Sequence, residues 1–121
     1  MSARDERQMM ACAWAGASFG EEHCMDTRMR AMRFIEEAIE LAQAMGLEKE
    51  MIGKLADHIY GKEGGEIYQE IGGVGVTLLV LAQSVGLSAD ACEMGELRRV
   101  IAKGNAHFAE RNKEKMDAGF K

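Results

Sequence analysis

Apolar and polar positions alternate along this chain with a helical period, and glycines break the pattern into segments. Residues from about 5 to 18 carry Met9, Met10, Ala13 and Trp14 at helical spacing, and Phe19-Gly20 ends that run. A polar stretch from Glu21 to Asp26 reads as a loop. Asp26-Thr27 is a good N-cap for a second helix reaching about Met45. Its stripe is Ala31, Phe34, Ile35, Ala38, Leu41, Ala42 and Met45. Gly46 stands where a left-handed C-cap belongs. A third helix is predicted over about Glu48 to Tyr60, followed by a glycine-containing loop, Gly61 to Gly65.

The fourth segment, about Glu66 to Val85, is apolar on all sides from Ile71 to Ala82, which places it at the centre of the domain. An extended strand is the competing reading of Val74 to Leu81; segment length and a polar first turn favour a helix. Gly86 ends it, and Ser88 caps the last helix, whose stripe is Met94, Leu97, Val100 or Ile101, Gly104 and Phe108. The pattern predicts an all-α bundle of about five helices, a single domain over residues 1–121, with 1–6 and 118–121 flexible.

Composition agrees with helices. The chain has 14 glycines and no proline, is 47% hydrophobic and only 6% aromatic, and is dominated by good helix formers. At 121 residues it suits one domain. A net charge of −5 argues against a general nucleic-acid or membrane-surface binder. The longest apolar run, Val74 to Ala82, falls far short of a membrane span. Met1 to Gln8 is charged and opens no signal peptide. Cys12, Cys24 and Cys92 fit neither a zinc knuckle nor a redox pair, which suits reduced thiols in the cytoplasm.

The candidate chemistry is acidic. Glu36, Glu37 and Glu40 lie in the second helix, with Glu37 and Glu40 about 60° apart on one face. Glu66 and Glu70 form an i, i+4 pair at the start of the fourth helix, and their line continues through Gly73 and Thr77. Carboxylate clusters on helices suit Mg²⁺ or Mn²⁺. Two plainer readings stand beside this one: a solvated acidic face, and an ordinary Arg33–Glu37 surface pair. The last helix offers a basic line of Lys103, His107, Arg111 and Lys115, with Asn112 beside it. Such a line could hold phosphates, although Glu110 and Glu114 interleave as in a salt-bridged face.

These segments resemble the MazG-like, all-α nucleoside triphosphate pyrophosphohydrolases, in particular the short single-domain type of phages and bacteria. The resemblance rests on Trp14 with Phe19-Gly20, on the run Arg33 to Leu41, and on the run Gly65 to Leu79, extended by Arg111-Asn112. The family's motif is ExxE on one helix and ExxD on another. Glu37 and Glu40 match the first half, and Glu70 the first position of the second; Gly73 stands where the family carries Asp.

The resemblance implies Mg²⁺ (or Mn²⁺) held by Glu37, Glu40 and Glu70, with Glu36 or Glu66 replacing the missing ligand or acting as general base. It implies substrate-binding roles for Lys103, Arg111, Asn112 and Lys115, and cleavage of a nucleoside triphosphate to the monophosphate and pyrophosphate. Phe34 or Trp14 could stack on the base, although both also suit a core. Assembly as a homodimer or homotetramer follows from the same resemblance. The alternatives are a catalytically impaired nucleotide-binding relative and a purely helical interaction protein. Gly72, Gly73 and Gly75, inside a helix, cost roughly 1 kcal/mol each against Ala and call for a close approach or a ligand.

Overall fold

The computed structural model describes residues 1–121 and is all-helical, with no strand. Seven α-helices follow one another: α1 Ala3–Phe19, α2 Glu21–Cys24, α3 Thr27–Ala44, α4 Lys49–Tyr60, α5 Ile67–Ser84, α6 Ala89–Lys103 and α7 Asn105–Asp117. Two differences account for the count. The polar stretch after Gly20 closes a short helical turn in place of a loop. The last predicted helix breaks at Gly104, whose φ of 90° no helical residue adopts, and so becomes α6 and α7.

The ends follow local capping rules. Ser2 caps α1 through a capping box: its hydroxyl accepts from the Asp5 amide at 3.1 Å, and the Asp5 carboxylate accepts from the Ser2 amide at 3.0 Å. Helical order therefore begins at Ala3, inside the segment predicted to be flexible. Asp26 caps α3, its carboxylate accepting from the Met29 amide at 3.1 Å. At Gly46, φ is 86°, and the Leu47 amide reaches back to the Ala42 carbonyl at 3.0 Å, closing a Schellman end. The far C-terminus is also tied down, because the Phe120 carbonyl accepts from Arg33 at 3.1 Å.

The chain divides into two compact units. The first joins Met1–Phe34 to Asp90–Lys121; the second is Ile35–Ala89. In the first unit α1 packs on α2 and on α7. Ala15, Ser18, Cys24, Met29, Leu97 and Val100 are its buried residues. Trp14 meets Phe19 and Phe108 edge-to-face, with ring centroids 5.6 and 5.0 Å apart. Arg7 links α1 to α6 through Glu93 at 2.6 Å and Asp90 at 2.7 Å.

The second unit carries the end of α3, then α4 and α5. Here the central placement predicted for α5 is not found. Ala82 is its buried residue, while Ile71, Val76, Leu79 and Val80 are all more than half exposed. An all-apolar helix identifies a segment that needs cover, but it does not say that this protomer supplies the cover. No single helix is long and apolar enough to cross a membrane.

Candidate functional site

Each acidic residue of the motif falls in the second unit, except that none of them is buried there. Glu37 and Glu40 are exposed, one turn apart on α3, and Glu36 beside them is half-buried. Glu66 is the N-cap residue of α5, in extended conformation (φ −90°, ψ 138°), and its side chain makes no capping bond. Glu70 lies in the first turn, where the positive end of the helix dipole favours a carboxylate. Its side chain folds back over Gly65: a Cβ there would stand 2.6 Å from Glu70 Oε1. Gly65 thus leaves room for the carboxylate, which is a local reason for the glycine.

A metal ion needs three or more donors on one point. No group of three His, Cys, Asp or Glu side chains within this chain is placed to hold one. Mg²⁺ is commonly held by one or two carboxylates together with waters and substrate phosphates, so a single protomer supplies part of a coordination shell and no complete one. Gly73, at the family's Asp position, has helical dihedrals and faces open space, since a Cβ would meet nothing within 4 Å.

The basic residues belong to the first unit. Lys103 ends α6, and the turn at Gly104 separates it from α7, so the predicted four-residue line is not continuous. Arg111 and Lys115 remain one turn apart on α7, Arg111 exposed and Lys115 half-buried. Asn112 is engaged on both ends of its amide. Its carbonyl oxygen accepts from Arg33 Nη2 at 3.1 Å, and its nitrogen stands 2.9 Å from His23 Nε2. This geometry ties α2, α3 and α7 together and makes Asn112 a positioning group of the fold. Trp14 sits within the aromatic cluster, whereas Phe34 is half exposed.

The first unit also holds two open cavities flanking Trp14. One, of about 340 Å³, lies between α1 and the α6–α7 turn, walled by Met10, Ala13, Ala17, Ile101 and Asn105. The other, of about 450 Å³, lies between α1, α2 and the first turn of α3, and Arg30 lines it. Buried nitrogens of Trp14 (Nε1) and Arg30 (Nε, Nη2) have no hydrogen-bond acceptor. Each such donor forfeits about 1–3 kcal/mol, and more when the group is charged. Nothing in the spacing singles out Arg30, whose guanidinium carbon lies 5.4 Å from the centre of the Phe19 ring in the folded chain.

The thiols of Cys12, Cys24 and Cys92 are free. Burial pushes the Cys24 thiol up, helped by the neighbouring Cys12, so it is held neutral and unreactive. No family model, curated protein or solved structure matches the chain.

Proposed function

We infer that this protein is a nucleotide pyrophosphohydrolase of the cytoplasm, cleaving a nucleoside triphosphate to the monophosphate and pyrophosphate. One observation carries the reading: the acidic positions of the motif, Glu37, Glu40, Glu66 and Glu70, are gathered in one unit and face solvent there. Exposed carboxylates on α3 and at the start of α5 are accessible to a cation–phosphate pair from solution. A divalent cation supplies charge neutralisation for a triphosphate when bound. Glu36 or Glu66 takes the proton of the attacking water, and the exposed cations Lys103 and Arg111 balance phosphate charge.

Assembly belongs to the same proposal. The second unit leaves apolar side chains of α5 uncovered, and monomers seldom expose contiguous apolar patches beyond a few hundred Å². A homodimer or homotetramer covers them and brings further carboxylates to each acidic cluster.

Pyrophosphate release from a panel of ribo- and deoxynucleoside triphosphates, with Mg²⁺ or Mn²⁺, tests the activity. Glu37→Gln and Glu70→Gln are expected to abolish turnover with unchanged helical content by circular dichroism. Wild-type rates in either would remove the assignment. Gly73→Asp, which open space admits, is expected to keep or raise metal affinity.

A second reading, a non-catalytic nucleotide-binding or helical interaction protein, is favoured by the lack of a three-donor metal group within the protomer. Nucleotide binding by calorimetry with no pyrophosphate released from any substrate decides for it.

A further inference from the structure

Cys12 and Cys24 stand twelve residues apart, a spacing that no redox or metal rule picks out. The fold brings them together. Cys12 lies midway along α1 and Cys24 ends α2, and the turn at Gly20, with φ of 85°, connects the two helices. Both cysteines line one cavity of the first unit, about 450 Å³ in volume, beside Ala11, Ala15 and Met25. A side-chain hydrogen bond joins the two thiols.

The two thiols differ in what they meet. Cys12 is exposed, whereas Cys24 is buried at 6% exposure. Burial pushes the Cys24 thiol up, the adjoining Cys12 adds to that, and the Arg30 cation pulls the other way. Cys24 therefore stays protonated and meets no reagent from solvent by itself. Cys12 is the entry, and Cys24 stands one contact behind it. An accessible thiol with a second thiol in contact is the arrangement of a redox-sensing cysteine and its resolving partner. α2 is a single four-residue turn after Gly20, so closing the pair shifts a short element and leaves the long helices in place. The third thiol, Cys92, is exposed on α6 and lines neither cavity.

We propose that Cys12 and Cys24 form a reversible dithiol–disulfide couple that exchanges with low-molecular-weight disulfides. The Cys12 thiolate attacks one sulfur of the incoming disulfide, whose S–S bond breaks; the departing thiolate takes up the proton that Cys12 released. The Cys24 sulfur then attacks the Cys12 sulfur of the mixed disulfide, and its proton goes to the second departing thiolate. Two protein thiols are oxidised to one disulfide, and one small disulfide is reduced to two thiols. The bond ties α2 to α1 across Gly20 and places Trp14 and Phe19 inside a covalently closed loop. Closing that loop constrains the unfolded chain and so stabilises the first unit. The pair shares no residue with the acidic positions of the second unit and stands independently of the hydrolase reading.

Cys92→Ser in the full chain is the background, since it leaves these two thiols and no other. The protein is equilibrated with mixtures of oxidised and reduced glutathione and quenched with acid, and free thiols and intact mass are read. The expected result is loss of both thiols together, with a mass lower by about 2 Da and no glutathione retained. Dithiothreitol restores both thiols. The closed form should melt about 5 °C or more above the reduced form. Cys24→Ala in the same background should hold glutathione on Cys12, because no resolving thiol remains. In Cys12→Ala, Cys24 should react about tenfold or more slowly than Cys12 does in Cys24→Ala. Alanine replaces a cysteine that packs as a small hydrophobe, and unchanged circular dichroism of the reduced variants separates lost chemistry from lost folding. The proposal is overturned by glutathione retained on Cys12 while Cys24 is present, by disulfide-linked dimers in place of the internal bond, or by thiols that stay free in excess oxidised glutathione. These three outcomes are read in the Cys92→Ser background and need neither alanine variant to fold. Equal reaction rates of Cys24 and Cys12 in the two alanine variants overturn it as well, since Cys12 is then not the entry.

Discussion

Leu97 on α6 and Leu79 on α5 are the same residue type in helices of similar length, yet Leu97 is 6% exposed and Leu79 is 51% exposed. The contrast extends to their units. Around Leu97, the first unit has buried small residues, an aromatic cluster and side-chain bonds that join residues far apart in sequence, such as Arg7–Glu93, Ser18–Asn105 and Arg33–Asn112. Around Leu79, apolar side chains of α5 and of α4, such as Leu55 and Ile59, remain about half exposed. The first unit holds all but one of the buried residues and joins its helices by side-chain bonds. The second presents a surface whose burial, at about 1.5–3 kcal/mol per fully covered Val, Leu or Ile, has not been realised within the chain.

The largest effect should separate these leucines. Leu97→Ala is expected to cost about 2–5 kcal/mol, the range for truncating a buried leucine. Leu79→Ala in a lone protomer should cost within about 0.5 kcal/mol, as for other surface changes. Urea unfolding at two protein concentrations checks both. If a second copy covers α5, the Leu79 cost rises toward the Leu97 value at high concentration and fades on dilution. A small, concentration-independent cost at Leu79 would falsify the assembly.

Glycines sharpen the same contrast at a smaller scale. Gly104 has φ of 90° and turns the chain between α6 and α7. Gly104→Ala is expected to cost about 1–2 kcal/mol, because a side chain strains that conformation. Gly73 is helical and faces open space. Gly73→Ala should therefore stabilise a lone protomer by roughly 0.5–1 kcal/mol. Thermal unfolding of the two variants gives opposite signs if the second unit is complete in itself. A loss at Gly73 would show that something outside the protomer approaches α5 closely there.

What the sequence makes legible follows from the range of the forces involved. Helix ends are local: Asp26, Gly46, Gly86 and the glycine loop after Tyr60 each mark a boundary in the right place. Gly104 shows the limit of periodicity, because a glycine at a stripe position reads as packing until its backbone conformation is known. The acidic motif is legible as residue types at helical spacing, and α3 and α5 do carry it. Whether its carboxylates meet depends on tertiary and inter-chain distances, which spacing does not encode. The Arg30 and Trp14 donors are invisible for the same reason: burial makes them unusual, and burial comes from tertiary contacts such as Arg30 with Phe19 and Trp14 with Phe108.

The smallest effects lie at the starts of α1 and α5. α1 begins with a complete capping box, whereas α5 begins with Glu66, which forms no side-chain cap. Glu66→Ser would create the Ser-x-x-Gln pattern with Gln69 and is expected to stabilise the second unit by about 0.5–1 kcal/mol. If Glu66 serves catalysis, the same variant loses turnover while it gains stability, a trade that a purely structural Glu66 cannot produce. The α1 cap supplies the matching pH test. The Ser2 hydroxyl and amide hold the Asp5 carboxyl below its usual range. A depressed carboxyl contributes stability above its unfolded pKa and loses it as pH falls through the lower folded value. Amide protection in the first turn of α1, taken relative to the intrinsic exchange rate at each pH, should therefore hold at neutral pH and drop only below the ordinary carboxylate range. In Ser2→Ala that protection should be weak at every pH, with no matching step on acidification. A step of equal size in both proteins would place the titrating group elsewhere and leave the cap with no share in the difference between the two helix starts.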